Sequence, residues 1–385
     1  MSRGTIPQDP ERIYLDHHAA TPLAAGVWEE MLQARSEAWA NPASAHAFGR
    51  LSRARIERAR TRVAEAIGAS AADLIFTAGG TEAVNLAIRG LHAAYEESPR
   101  IIEVGVGHPS VTVSVSSLGA GGLEILRLSF APGARPPSAS ALRALALPGA
   151  LVVSPWVDHE LGILYPIAAY ASVARETSMR FVVDGTQALG KIPLEVAGSG
   201  IDALALASHK IGGPPGAGAL WLRRGLRLAP QLLGGGQERG RRAGSPDPLA
   251  LTGFGAAAAR LSARLEQMPR LGVMRDALEA CLRELGAQIN GAESERVPTV
   301  TNASVPGWRG ALLVAALDLE GLACSSGSAC SSGLGAPSAL IEALYPQEPW
   351  RANAALRLSL GPETGEDEVR RAMEILRAVI PRASR

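Results

Sequence analysis

Three short segments of this 385-residue chain combine residues that can do chemistry with the turns that would present them. In Ala207-Ser208-His209-Lys210-Ile211-Gly212-Gly213-Pro214-Pro215-Gly216, a lysine follows an apolar run and precedes a Gly/Pro-rich turn. A solvated surface lysine has no need of that enclosure, whereas an amine that forms a Schiff base with a carbonyl does. In Phe181-Val182-Val183-Asp184-Gly185-Thr186-Gln187, an acid ends a second apolar run. A buried carboxylate needs a partner. A protonated ring nitrogen would be one, and the free amides of a helix capped by the aspartate would be another. In Thr77-Ala78-Gly79-Gly80-Thr81-Glu82-Ala83, two glycines separate an apolar run from a helical pattern. Amides and a hydroxyl at such a helix start can hold a phosphate, and the same residues also make an ordinary capped turn.

The thiols and imidazoles are fewer. Cys330 is flanked on both sides by small polar residues in Cys324-Ser325-Ser326-Gly327-Ser328-Ala329-Cys330-Ser331-Ser332-Gly333. That composition predicts a mobile loop with an accessible thiol, and a Gly/Ser linker with an incidental cysteine would look the same. Cys324 follows the apolar run 311–322 and Cys281 lies inside a helical pattern, so both are expected to be small buried residues. Three cysteines argue against a disulfide framework. No Cys-x-x-Cys or His-x-x-x-His pair suggests a metal, and none is expected. His108, just after the run 101–106, and His46, in Asn41-Pro42-Ala43-Ser44-Ala45-His46, read equally well as site or structural residues.

The elements that must position these residues follow from periodicity. Short apolar runs at 74–77, 101–106, 150–154, 181–184, 203–207 and 218–222 predict buried strands of a mostly parallel sheet. Helical patterns at 51–67, 82–94 and 167–175 lie between them. Such alternation predicts a doubly wound α/β domain, with ligands at the carboxyl ends of the strands. Lys210, Asp184, Gly80 and His108 all fall there. The Pro/Ala/Ser-rich stretch 131–140 is expected to be a surface loop between a strand and a helix. Beyond about Ala256 longer helical stretches dominate, with short strands near 301–304 and 356–359. We read a large domain over 15–255 and a smaller α+β domain over 256–385, with which residues 1–14 associate. Hydrophobic residues make up 47% and charged residues 19%, which marks a globular chain. A net charge of +1 gives no pull toward nucleic acid or anionic membranes. No apolar run is long enough to span a bilayer, and the first residues lack the apolar stretch of a signal peptide. The expectation is a cytoplasmic protein that binds neither nucleic acid nor membrane.

Taken in order, these segments resemble the cysteine desulfurases of the class V, fold-type I pyridoxal-phosphate (PLP) family. The matching segments run from Tyr14-Leu15-Asp16 through Asn41-Pro42, Gly79-Gly80-Thr81-Glu82-Ala83, His108-Pro109, Asp184-Gly185-Thr186-Gln187 and His209-Lys210. They continue through Gly234-Gly235-Gly236-Gln237-Glu238-Arg239-Gly240, Ser325-Ser326-Gly327-Ser328-Ala329-Cys330 and Arg357-Leu358-Ser359-Leu360-Gly361, so they cover nearly the whole chain. The Ser-Ser-Gly-Ser-Ala-Cys run is the most specific, and is similar to that of the group with the longer cysteine loop.

The resemblance implies a fold-type I PLP transferase: a mostly parallel seven-stranded sheet flanked by helices, with a smaller α+β C-terminal domain. It implies conversion of L-cysteine to L-alanine, with the sulfur carried on Cys330 as a persulfide. Lys210 would hold PLP covalently, Asp184 would pair with the ring nitrogen, His108 would stack on the ring and Gln187 would bond the ring hydroxyl. Gly80, Thr81, Ser208 and His209 would hold the phosphate. Ser245 would reach the phosphate of the partner subunit in a homodimer. Arg357, with Asn41, would bind the substrate, and the sulfur would pass to an acceptor such as an iron–sulfur scaffold protein. The chain departs from the pattern in three places. Asp158-His159-Glu160 stands where Asn-Asn-Glu is usual, which puts His159 against the cofactor in place of an amide. Ala207 replaces a serine, with Ser208 one place later, and Gly212-Gly213-Pro214-Pro215-Gly216 replaces a Tyr-Gly-Pro-Lys-Gly turn. Another PLP enzyme, such as a selenocysteine lyase or aminotransferase, would share Lys210 and Asp184 but not need Cys330. A degenerate non-catalytic paralogue would fit the departures, and a structural interaction protein would have no use for both Lys210 and Cys330.

Overall fold

The computed structural model describes residues 12–95, 98–131, 133–327 and 337–384. They form two compact units. The larger comprises Ala20–His159 and Ile163–Glu266; the smaller comprises the described residues up to Ala19, Glu160–Gly162 and those from Gln267 onward.

Twelve strands occur among the described residues. In chain order they are β1 (Ile13–Tyr14), β2 (Leu74–Thr77), β3 (Arg100–Val104), β4 (Glu124–Leu128), β5 (Leu151–Pro155) and β6 (Arg180–Asp184), then β7 (Ala203–Ala207), β8 (Gly218–Leu222), β9 (Gln288–Ile289), β10 (Val300–Ser304), β11 (Leu322–Ala323) and β12 (Ala355–Ser359). The larger unit is built on a seven-stranded sheet in the order β2-β8-β7-β6-β5-β3-β4. Only β8 runs against its neighbours; β7, β6, β5, β3 and β4 are parallel. The central strands are buried along their length, as continuous apolar runs covered on both faces must be. One face carries the helix Gly80–Ala94, whose Ala83, Val84, Ala87, Ile88 and Leu91 pack against Leu151, Val182, Ala205 and Leu220. Burying side chains of this size contributes roughly 1.5–3 kcal/mol each, so the sheet and this helix form one rigid block.

Six of the seven strands coincide with the apolar runs, to within a residue or two. The seventh, β4, is an edge strand with Glu124 and Arg127 exposed, and its mixed polarity hides it from a search for apolar runs. The stretch 131–140 folds back at an Ala131–Arg135 bridge. Its last two residues already belong to the helix Ala139–Ala144, which Ser138 caps through the Ala141 N–H. The helix Pro248–Ala258 lies in the larger unit and is buried from Ala250 onward. It packs on the helices Val27–Ala34 and Ala47–Glu65.

The smaller unit has an antiparallel sheet, β12-β10-β9, and a parallel pair, β1 with β11. The helix Met268–Glu284 packs against the helix Glu366–Val379 and the edge of the sheet.

Candidate active site

The carboxyl ends of β6 and β7 lie side by side, because Asp184 pairs with Ala205 in register. β6 delivers Asp184, which is 6% exposed. Its Oδ1 accepts from the Thr186 N–H at 3.0 Å and from the Thr186 hydroxyl at 2.7 Å. Oδ2 takes no hydrogen bond among the described residues. One carboxylate oxygen is therefore anchored and the other is left for a donor. The turn Ser208–Lys210 delivers the lysine after β7. Bonds from outside hold it, among them the Ser208 N–H to the Ala217 carbonyl at 3.1 Å, the Thr21 N–H to the His209 carbonyl at 3.0 Å and Arg264 NH2 to the Lys210 carbonyl at 3.4 Å.

The helix Gly80–Ala94 points its first turn at the same place. A Cβ on Gly80 would lie 2.7 Å from Thr186 Cγ2 and 3.1 Å from Ala207 Cβ. Glycine is required there because the helix start is wedged between the Asp184 turn and the end of β7. The first amides of a helix have no partner within it and carry its positive end. Thr81, in that first turn, is exposed.

His108 caps the helix Pro109–Ala120, its Nδ1 accepting from the Ser110 N–H at 3.1 Å. With Nδ1 so used, the neutral ring carries its proton on Nε2. Burial lowers the pKa of His108; Asp184 opposes that shift and Lys210 reinforces it. The edge of His159 meets the His108 ring at a centroid distance of 5.4 Å, and Asp158 lies 3.7 Å from His159 Nδ1. Burial, with Lys210, Lys191 and His108 nearby, pushes the pKa of His209 down to about 4. His209 is therefore neutral at ordinary pH.

Lys210, Asp184, Gln187, His108, His159, His209, Gly80 and Thr81 all belong to the larger unit. The Ser208 Oγ is wholly buried, has no hydrogen-bond partner and sits 2.1 Å from where a Gly213 Cβ would be. Asn41 is exposed, and its Oδ1 accepts from the Ala43 N–H at 2.9 Å. His46 is structural: it caps the helix Ala47–Glu65 through the Gly49 N–H. Ser245 is exposed, at the end of a loop pinned by a buried bidentate pair between Arg60 and Glu238.

In the smaller unit, Arg357 is 2% exposed and its NH2 donates to Asp16 at 2.8 Å. The backbones of Arg357 and Ser325 exchange hydrogen bonds. The segment toward Cys330 thus leaves from the strand that carries Arg357; Cys330 itself lies outside the described residues. Cys281 is buried, as expected. Cys324 is only half-buried, because it sits past the end of β11 rather than inside the apolar run. Burial raises the pKa of both thiols. Three residues in direct support of the site went unread in the sequence: Thr186, Lys191 and Arg264. Thr186 carried a signal, two places after the acid, where an Asx turn places a donor. Among the described residues no His/Cys/Asp/Glu group could hold a metal, and no helix is long and apolar enough to cross a membrane.

Residues 13–372 match the family model described as aminotransferase class-V. The chain belongs to that family. Two class-V relatives are similar over nearly their whole length. An IscS-like cysteine desulfurase of Mycobacterium tuberculosis is 39% identical, over 97% of each chain. A putative cysteine desulfurase, IscS 1, of Bacillus subtilis is 35% identical, over 97% of this chain and 99% of its own. Among solved structures, a NifS-like protein superposes with a TM-score of 0.88 at 26% identity, covering 96% of this chain and 99% of its own.

The class-V family implies PLP as cofactor, and this site fits it. Asp184 has one oxygen that would suit a protonated ring nitrogen, the start of the helix Gly80–Ala94 would suit a phosphate, and Lys210 would offer an amine to the aldehyde. The lysines that depress His209 suit an anionic cofactor.

Proposed function

We propose that this class-V enzyme is a cysteine desulfurase that moves the sulfur of free L-cysteine onto Cys330 and releases L-alanine. The observation that carries this reading is the convergence of Lys210, Asp184 and the Gly80 helix start at one edge of the sheet, in a chain that also has the Ser-Ser-Gly-Ser-Ala-Cys run. When bound, PLP supplies an electron sink for the Cα carbanion of an amino acid.

The chain's own residues would then do the following. Lys210 holds the cofactor through its amine. Asp184, anchored by Thr186, keeps the ring nitrogen protonated through Oδ2. Gln187 bonds the ring hydroxyl. Gly80, Thr81 and His209 hold the phosphate, with His209 as a neutral donor or acceptor rather than a counter-charge. His108 stacks on the ring, oriented by Ser110 and edged by His159. Arg357, with Asn41, receives the substrate carboxylate, which competes with Asp16 for the guanidinium. The thiolate of Cys330 attacks the substrate sulfur. The substrate C–S bond breaks, an S–S bond forms on Cys330, and the carbon fragment takes up a proton and leaves as alanine. A thiol must be ionised to attack, and burial disfavours that for Cys281 and Cys324.

The enzyme acts as a homodimer in which Ser245 reaches the partner's phosphate site. The persulfide passes to an acceptor protein such as an iron–sulfur scaffold. The deciding experiment is Cys330→Ala. The variant is expected to bind PLP and cysteine but to release no alanine, while the parent gains one sulfur on the Cys330 peptide by mass spectrometry. Release of alanine from cysteine at the parental rate by Cys330→Ala would refute the reading and make a thiol-independent lyase the better one.

A further inference from the structure

Glu82 and Arg242 form a charge pair at the start of the helix Gly80–Ala94, and the proposed chemistry gives neither a task. Both belong to the larger unit. Glu82 is the third residue of that helix and the acid of its first turn. Gly79, just before the helix, has no side chain to cap it. Glu82 reaches back instead, and its Oε2 accepts from the Ala78 N–H at 2.8 Å. The third helical residue thereby braces the chain that enters the helix, much as the acid of a capping box does.

That brace creates a conflict. A carboxylate and a phosphate both draw on the positive end of a helix, and two anions there repel each other. Arg242 meets the carboxylate with a bidentate pair, Nε to Oε1 at 2.8 Å and NH2 to Oε2 at 3.1 Å. Only 14% of the Arg242 side chain and 24% of the Glu82 side chain are exposed. A charge-assisted bidentate pair fixes geometry as well as charge. Burial by itself would raise the pKa of Glu82, yet the bonds from Arg242 and Ala78 hold it below the usual carboxylate range. Glu82 is therefore ionised, and Arg242 is its counter-charge.

Arg242 comes from 160 residues away, on the glycine-rich loop that runs from Gly234 to Ser245. Two further contacts seat that loop along β2 and the turn before it. Glu238 accepts from the Phe76 N–H at 3.0 Å, and Arg239 NH1 donates to the Ala72 carbonyl at 2.6 Å. Arg242 NH1 also donates to the Gly244 carbonyl at 3.3 Å, which ties the guanidinium to its own loop. The other acid of the loop, Glu238, is held by Arg60, so Glu82 is the carboxylate that Arg242 bonds.

We propose that Arg242 is a positioning residue for the cofactor phosphate. It fixes and neutralises Glu82, so that the first turn of the helix can be braced by a carboxylate and still accept a phosphate. The inference rests on the reading that the phosphate lies at this helix start, with Gly80 and Thr81.

The test titrates full-length apo-enzyme, by visible absorbance, with PLP and with pyridoxal, which has the same aldehyde and ring but no phosphate. Arg242→Met removes the counter-charge and strands the Glu82 carboxylate. PLP affinity should fall about tenfold, as one uncompensated like charge at a partly shielded site implies, while pyridoxal affinity stays within about twofold. Arg242→Met/Glu82→Gln removes both charges and keeps an acceptor for the Ala78 N–H, so PLP affinity should return to within about threefold of the parent. A folded Arg242→Met variant that loses PLP and pyridoxal affinity equally, or loses neither, would overturn the proposal, as would failure of Glu82→Gln to rescue it. If Arg242→Met does not fold, Glu82→Gln alone decides: it should bind PLP at least as well as the parent, and a loss of more than about threefold would overturn the proposal equally. Thr81→Ala is the separate control on the site itself. It should weaken PLP about fivefold relative to pyridoxal, and an unchanged ratio would instead refute the placing of the phosphate at this helix.

Discussion

Gly80→Ala tests whether the start of the helix Gly80–Ala94 is placed by steric fit. An alanine Cβ at this position would lie 2.7 Å from Thr186 Cγ2 and 3.1 Å from Ala207 Cβ. The first distance is about an ångström inside the favourable carbon–carbon separation of roughly 3.5–4.0 Å. The helix cannot retreat freely, because Ala83, Ala87 and Leu91 are packed against the sheet. Thr186 cannot swing away without loosening the bond from its hydroxyl to Asp184. Overpacking of this kind typically costs about 1–3 kcal/mol. If that strain falls on the cofactor-binding arrangement, PLP affinity drops by roughly fivefold to 150-fold. The assay is a PLP titration of apo-enzyme by visible absorbance, with thermal unfolding as a control for global damage. Thr186→Ser removes the offending methyl and keeps the hydroxyl on Asp184, so Gly80→Ala/Thr186→Ser should regain much of the loss. The residual 3.1 Å approach to Ala207 Cβ prevents full recovery. A Gly80→Ala variant that binds PLP within twofold of the parent would show that the helix start moves easily, and would refute the steric account.

Three further outcomes follow from the same geometry. The pKa of His209 is lowered from an ordinary 6.5 to about 4 by burial and the neighbouring lysines, so the unfolded chain takes up its proton first. Its contribution is present above about pH 6.5 and is lost as pH falls toward 4; the urea midpoint of the parent should drop across that window more steeply than that of His209→Gln. Arg357→Ala should raise the Michaelis constant for cysteine about ten- to a hundredfold, as loss of a charge-assisted bond implies, and an unchanged constant would assign the carboxylate to another cation. Because Arg357 also neutralises Asp16 in a buried pair, the variant should unfold at lower urea as well. Glu238→Ala strands Arg60, which is 7% exposed and keeps only the exposed Glu57 as carboxylate partner; a loss of about 3–5 kcal/mol is expected, measured by denaturant unfolding, and a loss under 1 kcal/mol would show that water replaces the pair.

The sequence alone was sufficient for six of the seven strands of the large sheet. Runs such as 203–207 and 181–184 are apolar throughout, because a strand covered on both faces has no solvent side to mark with polar residues. Lys210 and Asp184 directly follow or end such runs, so their place at the ligand-binding edge could be read in advance. β4 could not be found in the same way, since an edge strand with Glu124 and Arg127 exposed carries no such run. Tertiary structure decided which neighbours support the site. Lys191 is an ordinary residue in the sequence; only the fold of its turn aims it at Gln187. Arg264 lies 54 residues beyond Lys210 yet holds its carbonyl, and no local pattern encodes so distant a contact. Residue type and spacing determine what chemistry is available at a strand end, whereas side-chain direction depends on packing from elements far away in the chain, which the linear pattern does not contain.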